Sequence, residues 1–342
     1  MVNYDEDKFD RPSRFNSRRR SKDRPDFSTA QIGQVIGIDR GRITCVYPIA
    51  TNHEAQTRVI AVKARELGRK GTTIGDRVRL VGDLSGKTDT LARLVEVLPR
   101  ETELMRTADD TDPVERVIVA NADQIAIVTS IANPEPRLGL IDRSLVAAFH
   151  AGLRPLLVIT KIDLASPNEL LKNYEGIDLP FILVNNKTGE GINKLREEIQ
   201  GHNTVFIGHS GVGKSTLVNA LVPDAQRITG DVNDVTGRGK HTSTSAISLP
   251  LPNDTGWVID TPGVRSFGLA HVKPQDIIES FPEFIDGTLQ CPRACTHVNS
   301  SGLRPPDCAL DDWASTGKAG AAGSTRLASL RRLLFALESP SS

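Results

Sequence analysis

This sequence of 342 residues has few cysteines, no long apolar run and no excess of charge of either sign. Its four cysteines are far fewer than a disulfide-stapled secreted scaffold carries, and residues 1–26 hold no apolar segment of the secretory type. We therefore expect a reducing, cytoplasmic setting in which thiols stay free or bind metal. No run approaches the roughly 18 apolar residues of a membrane-spanning helix, so we expect neither an integral membrane protein nor a membrane partner.

The charges balance, with 42 Lys and Arg against 42 Asp and Glu, so the composition gives no reason to expect bulk binding to polyanions. Their distribution is uneven, because residues 11–24 hold seven basic residues and one acid. With so little apolar material, residues 1–28 are predicted to be a disordered basic tail. The tail is either an arm that neutralises RNA phosphates or simply a solvated, solubilising segment.

Five short β-like segments fill residues 31 to about 100 and are separated by Gly, Asp and Asn turn signals. They predict a small β-barrel over residues 29–104. An OB-fold fits the strand count, and such barrels often bind oligonucleotides. The pattern alone does not distinguish an OB-fold from another small barrel, or an RNA-binding module from a purely structural one.

From about residue 117 the pattern changes to apolar strands that alternate with helical stretches. Alternation of this kind predicts an α/β fold with a doubly wound parallel sheet. Ligands of such sheets bind at the carboxyl ends of the strands.

The strongest chemical signal is a P-loop that follows the apolar strand TVFI and precedes the helical stretch STLVNAL. Backbone N–H groups of such a loop wrap a phosphate chain, while Lys214 is expected to reach the terminal phosphates and Ser215 to bind Mg²⁺. The predicted phosphate-binding residues are Gly208, His209, Ser210, Gly211, Val212, Gly213, Lys214, Ser215 and Thr216.

A second motif, Thr160-Lys161-Ile162-Asp163, comes directly after the strand pattern PLLVI. The Asp163 carboxylate can accept hydrogen bonds from both N1 and N2 of guanine, and Lys161 can lie along the ring. Adenine offers no matching pair of donors, so the motif predicts that the nucleotide is GTP or GDP.

Two further segments follow the P-loop. Asp260-Thr261-Pro262-Gly263 comes after the strand GWVI, where Asp260 can hold Mg²⁺ through water and the Gly263 N–H can sense a γ-phosphate. In the loop of residues 237–245, the hydroxyl of Thr242 or, as the alternative, of Thr244 can bind Mg²⁺ when the γ-phosphate is present.

The order of these motifs is unusual, because the guanine motif precedes the P-loop whereas GTPases ordinarily place it last. The sequence therefore predicts a circularly permuted P-loop GTPase domain over residues 112–270. A sheet tolerates permutation when the old termini lie close together, since spatial neighbours make the site.

Three cysteines and one histidine are spaced C-x3-C-x-H-x10-C near the C-terminus: Cys291, Cys295, His297 and Cys308. Such a donor set is typical of a closed, tetrahedral structural zinc site. Residues 271–338 are thus predicted to form a zinc-binding, mostly helical domain. Cys45 lies alone on a predicted barrel strand and is expected to be a core residue.

Together these motifs resemble the bacterial ribosome small subunit-dependent GTPase A family. The resemblance covers about residues 31 to 335 and implies a cytoplasmic GTPase that acts in late maturation of the small ribosomal subunit, with an OB-fold domain and a zinc domain. Family members more often carry C-x4-C-x-H with a shorter run to the last cysteine. Among the four expected ligands, Cys308 is therefore the one whose position departs from the family pattern. The partners expected from this are the small subunit and its rRNA, and the chain is expected to be a monomer.

The resemblance also brings out departures from the general GTPase pattern. Asn185 and Asn186 stand where many GTPases have a Ser-Ala pair near the guanine O6, and Thr160 replaces an Asn whose amide commonly braces the P-loop. The residue after D-x-x-G is Val264, which cannot orient the attacking water. His241 is the candidate for that role, the alternative being an ordinary loop histidine, and with Lys214 and Thr242 it completes the predicted catalytic set.

Three functions fit these residues to different degrees. The first is a GTP-hydrolysing assembly factor for the small subunit, in which hydrolysis is coupled to release. The second is an RNA-binding module that uses nucleotide as a structural ligand without functional turnover. The third, a P-loop ATPase or kinase, is disfavoured by Asp163.

Overall fold

The structure, a computed structural model, describes residues 26–39, 41–49, 56–67, 71–107, 116–223, 225, 246–252, 256–261, 268–299 and 301–338. Among the helices in these ranges, none has both the length and the apolar composition needed to cross a bilayer.

The N-terminal module is a closed five-stranded barrel. Its strands are β1 (Gln31–Asp39), β2 (Arg42–Tyr47), β3 (Thr57–Lys63), β4 (Arg77–Gly82) and β5 (Ala92–Val97). They pair in the order β1-β2-β3-β5-β4, and β4 returns to β1, so the barrel leaves no open edge between these strands. The strand count, the parallel β3–β5 pair and the closure agree with the predicted OB-type barrel. Cys45 is fully buried inside it, as expected.

A short two-stranded sheet of β6 (Glu103–Arg106) and β7 (Arg116–Ala120) follows the barrel. The sequence pattern did not predict these strands, because most of their residues are only half-buried and do not form a continuous apolar run.

The central sheet is parallel over five strands: β8 (Gln124–Ser130), β9 (Arg154–Thr160), β10 (Phe181–Val184), β11 (His202–Ile207) and β13 (Gly256–Asp260). Their order is β10-β9-β8-β11-β13, so the P-loop strand β11 lies between β8 and β13. Strand β12 (Ile247–Pro250) runs antiparallel to β13 and also meets β1 at the Gly37–Ile247 pair. Through β12 the barrel and the central sheet share one continuous set of strands.

Both faces of the central sheet are covered, which explains why its strands are apolar throughout. In β8, Ile125 and Ile127 pack on one face and Ala126 and Val128 on the other. The helices of this region are α1 (Leu138–His150), α2 (Asn168–Lys172), α3 (Ile192–Glu198) and α4 (Lys214–Leu221).

The C-terminal region is helical in its described part. It contains α5 (Pro274–Ile278), α6 (Pro282–Thr288), α7 (Leu310–Ser315) and the long α8 (Gly323–Glu338). Leu327, Leu330, Leu333 and Leu334 of α8 are buried in the core that also contains α1. The last helix therefore packs directly against the central α/β region.

Candidate functional site

The predicted P-loop lies between the end of β11 at Ile207 and the start of α4 at Lys214. Gly213 has a φ of +89°, a left-handed conformation that favours glycine. At Gly208 a Cβ atom would lie 2.5 Å from the carbonyl oxygen of Val128, so only glycine fits there. The loop thus brings its backbone to the N-terminus of a helix, the arrangement that attracts phosphate.

Two side chains from neighbouring strand ends brace this loop. The Thr160 hydroxyl donates to the Val212 carbonyl at 2.5 Å, and the Asn186 Nδ2 donates to the Gly213 carbonyl at 3.2 Å. The P-loop is therefore braced even though Thr160 stands in place of the usual Asn. A hydroxyl replaces the amide, and Asn186 supplies a second donor that the sequence did not reveal.

Asp163 follows β9 on the same edge of the sheet. Lys187 Nζ donates to its Oδ2 at 3.0 Å, and this hydrogen bond lowers the pKa of the carboxyl group. Lys187 therefore holds the carboxylate in position, and the ionised carboxylate is the acceptor that guanine recognition requires. Sequence reasoning missed Lys187, because a single lysine in a polar loop carries no recognisable pattern.

The rest of the guanine motif is positioned by a loop that the sequence did not single out. Lys161 has a φ of +57°, and its ammonium contacts the Asn133 carbonyl. Pro134 of the same loop lies 3.5 Å from where a Cβ of Gly211 would stand. The loop after β8 thus contacts both the guanine motif and the P-loop.

Buried polar atoms beside the P-loop lack partners within the described part of the chain. They are Asn186 Oδ1 and His209 Nε2. His209 is 6% exposed, and burial lowers the pKa of its ring. Its other nitrogen, Nδ1, lies 2.9 Å from the Ser210 carbonyl oxygen. Atoms of this kind fit a site that is completed by a polar ligand.

Asp260, the last residue of β13, contacts the Lys214 ammonium directly. Ser215 and Thr216 stand exposed in the first turn of α4, and Asn185 is buried at the end of β10. The structure therefore brings the described members of the predicted set to the carboxyl ends of β9, β10, β11 and β13. Five other predicted or discussed positions lie outside the described residues: His241, Thr242, Thr244, Gly263 and Val264.

The second candidate site is the cluster of Cys291, Cys295, His297 and Cys308. One ligand atom from each lies within 4.8 Å of all the others. His297 Nδ1 is 3.5 Å from Cys291 Sγ and 3.8 Å from Cys308 Sγ. A tetrahedron with zinc–ligand distances of about 2.0–2.3 Å has edges of about 3.5–3.8 Å, so the donors fit Zn²⁺. Cys308 joins the cluster despite its departure from the family spacing.

The three cysteines differ in their tendency to ionise, because burial raises the pKa of Cys291 to about 11 and also raises that of Cys295, whereas the pKa of Cys308 is lowered. Burial by itself raises the pKa of Cys308, but hydrogen bonds from His297, the Leu310 backbone and Arg331 outweigh it and bring the pKa to about 6. Arg331 Nη2 lies 3.6 Å from Cys308 Sγ and is itself paired with Asp311 at 2.6 Å. The thiolate is the form of cysteine that binds metal.

Comparison with known proteins agrees with the predicted GTPase site. The family model described as RsgA GTPase matches residues 97–270. A Pseudomonas putida protein named small ribosomal subunit biogenesis GTPase RsgA is 44% identical over 225 residues, 64% of this chain and 63% of its own length. The protein of the same name from Ectopseudomonas mendocina is 41% identical over 251 residues, 71% of this chain and 70% of its own length. The alignment thus spans less than two thirds of the first of these relatives.

Solved structures show the same fold over more of the chain. YjeQ from Thermotoga maritima has a TM-score of 0.62 at 27% identity, with 90% of this chain and 98% of that one covered. YloQ, described as a circularly permuted GTPase, has a TM-score of 0.60 at 21% identity and covers 90% of this chain and 95% of its own. These similarities confirm the predicted permuted architecture.

Proposed function

This chain belongs to the RsgA GTPase family, and on that premise we propose that it hydrolyses GTP to GDP and phosphate while bound to the small ribosomal subunit. The observation that carries the proposal is the convergence of the guanine motif and the P-loop on one edge of the sheet. Thr160 links them physically, because it precedes Asp163 in one motif and holds Val212 in the other.

Each residue of this edge has a distinct role. Asp163 accepts hydrogen bonds from the guanine base, and Lys187 holds its carboxylate in position. Lys161 and Ile162 flank the base, and Asn186 brings a backbone N–H group to the guanine O6. Asn185, whose own N–H donates to the Glu190 carbonyl at 3.0 Å, holds this turn in place. Gly208 to Gly213 wrap the phosphates, and Lys214 reaches their terminal oxygens.

The oxygen donors near Lys214 fit Mg²⁺. Ser215 and Asp260 would hold the ion, with Thr242 as the third side chain, and when bound it neutralises charge on the phosphates. The contact between Lys214 and Asp260 keeps both groups at the mouth of the P-loop. Gly263 senses the γ-phosphate, and His241 orients the attacking water because Val264 cannot.

The modules on either side of the GTPase domain bind the ribosome. We assign rRNA contact to the barrel and to the zinc module, with one structural Zn²⁺ held by the Cys₃His cluster, and we place the protein in the cytoplasm as a monomer. Hydrolysis releases the Thr242 and Gly263 switches and loosens the grip on the maturing subunit.

The test is steady-state GTP turnover with and without small ribosomal subunits. We expect many turnovers per protein, stimulated by the subunits, and stronger sedimentation with subunits in a non-hydrolysable GTP analogue than in GDP. Equal sedimentation in both states, with no stimulated turnover, would instead identify an RNA-binding module that uses nucleotide only as a structural ligand.

Two variants assign the roles. Asp163→Asn is expected to weaken GDP binding by roughly a hundredfold, because hydrogen bonds to a charged acceptor contribute about 1.5–3 kcal/mol each. His241→Ala is expected to lower stimulated turnover while GTP affinity stays unchanged. A normal stimulated rate in His241→Ala would remove that residue from the mechanism, and tighter binding of ATP than of GTP would refute the guanine assignment.

A further inference from the structure

Two consecutive arginines on α8 face two different parts of the molecule. Arg331 contacts the predicted zinc ligands, and Arg332 contacts α1 and the segment that follows the guanine motif. Successive residues on a helix point about 100° apart, so neighbours on one rigid turn can contact separate regions. The helix is thus a short connection between the two candidate sites.

The zinc end of this connection is tightly held. Arg331 Nε donates to the His297 carbonyl at 3.0 Å, and its two terminal nitrogens pair with the Asp311 carboxylate at 2.9 and 2.6 Å. Nη2 also reaches Cys308 Sγ at 3.6 Å. One guanidinium therefore touches two of the four ligands, so the position of this turn of α8 depends on whether the cluster is assembled.

The nucleotide end is held by Arg332. Its Nε donates to Asp142 Oδ1 at 3.1 Å, its Nη1 donates to the Asn173 carbonyl, and its guanidinium lies 4.5 Å from the centre of the Tyr174 ring. Asp142 and Tyr174 are both buried. Asn173 ends the stretch of residues 163–173 that follows the guanine motif, which we call the guanine-reading segment. Arg332 therefore fixes the far end of this segment.

The backbones are also in close contact here. A Cβ at Gly176 would lie 2.4 Å from the Thr325 carbonyl and 2.5 Å from the Ser329 hydroxyl of α8. The helix therefore cannot move closer to Gly176, which lies three residues beyond the segment, without displacing it. Packed elements of this kind transmit displacements instead of absorbing them.

We propose that Arg332 is a positioning residue for the guanine-reading segment, and that the Arg331–Arg332 pair couples the zinc cluster to base selectivity. The inference rests on the proposed guanine readout by Asp163. Loss of zinc or of the Arg332 guanidinium releases residues 163–173 and weakens the hydrogen bonds to the base, while the P-loop still holds the phosphates. By thermodynamic linkage, a partner that binds the zinc module changes the affinity for guanine nucleotide, and the nucleotide changes the affinity for that partner by the same factor.

The readout is the ratio of affinities for GDP and inosine diphosphate, measured by calorimetry on the zinc-loaded full chain. Inosine lacks the 2-amino donor, so the ratio reports the base contact and not the phosphates. We expect Arg332→Met to lower the ratio about fivefold, a coupling at the low end of the usual range. Arg332→Lys keeps the charge and is expected to retain part of the preference.

Arg326 provides a matched control on the same helix. It pairs with Glu283 and lies 5.2 Å from the centre of the Phe281 ring, so its contacts stay inside the C-terminal module. Its side chain is 25% exposed, against 27% for Arg332. Arg326→Met removes a similar ion pair and is expected to leave the ratio unchanged.

A second arm uses the unmodified chain and so does not depend on the folding of a variant. Removing zinc with a chelator, verified by metal analysis, is expected to lower the same ratio, and in Arg332→Met it is expected to add no further loss. A preference for GDP that survives both zinc removal and the Arg332 substitution would refute the coupling, as would an equal loss in Arg326→Met. If the unmodified, zinc-loaded chain binds both nucleotides equally, the guanine readout itself fails.

Discussion

The two candidate sites are built in opposite ways. All four zinc donors come from residues 291–308, whereas the described nucleotide residues come from four separate strand ends between residues 160 and 260. A local site is set by the spacing of its ligands and by the metal that joins them. A dispersed site is set by the sheet that holds its loops, so it is largely formed before any ligand binds.

The two sites also differ in how deeply the surrounding residues are buried. Behind the nucleotide site, β8 is buried at every position, and so are the carboxyl-end halves of β9 and β11. Around the zinc cluster, Cys291 and Cys295 are only half-buried, and Ala294 and His297 both adopt a left-handed φ of +62°. Such backbone conformations cost energy in residues other than glycine and persist where other interactions compensate. A bound Zn²⁺ would be the compensating interaction at this site.

Removing zinc is expected to give the largest effect. Chelation, or Cys295→Ala, should lower the free energy of unfolding of the C-terminal module by more than about 4 kcal/mol, because loss of a structural metal is among the most damaging changes. The P-loop should still bind nucleotide phosphates. Urea unfolding followed by tryptophan fluorescence checks this, since Trp313 lies on α7 and Trp257 on β13. An unfolding curve that zinc does not alter would contradict the comparison.

Thr160→Val tests how far the sheet preorganises the nucleotide site. The substitution leaves the Val212 carbonyl without its 2.5 Å hydrogen bond, and GDP affinity is expected to fall about fivefold, because an unsatisfied buried group costs about 1–3 kcal/mol.

The control for Thr160→Val is Thr204→Val. Thr204 is also fully buried and donates to Gln124 Oε1 at 2.7 Å, but at the opposite end of the sheet. The Thr204→Val variant is expected to lose a similar amount of stability and to bind GDP with unchanged affinity. An equal loss of affinity in both variants would mean that the P-loop responds to general destabilisation and not to its brace.

The smallest expected effect concerns Asp142, which lies on α1 and accepts a hydrogen bond from Arg332 of α8. Burial outweighs the neighbouring Arg332 and raises its pKa to about 6, from the ordinary 3.8. The folded state therefore binds this proton more tightly than the unfolded state, and the stability it confers is lost as the pH rises through 6. Between pH 5 and pH 7 the free energy of unfolding of the unmodified chain should fall by about 1 kcal/mol relative to that of Asp142→Asn. Urea titrations of both proteins measure this, and parallel pH profiles would contradict it.

Much of the fold could be predicted from sequence. The five barrel strands and the strands of the parallel sheet follow apolar patterns that the structure reproduces. Strands β6, β7 and β12 were missed, since each has only four or five residues and several of these are only half-buried. Segments this short show no clear apolar periodicity.

The sequence by itself determined the chemistry: which residues are suited to phosphate, to guanine and to zinc, and that the guanine motif precedes the P-loop. These properties depend on residue type and on spacing within a few positions. Only the tertiary structure decided that Thr160 and Asn186 brace the P-loop, that Lys187 pairs with Asp163, and that Arg332 reaches Asn173. Each joins residues at least 24 positions apart, and their proximity results from the order of strands and the packing of helices.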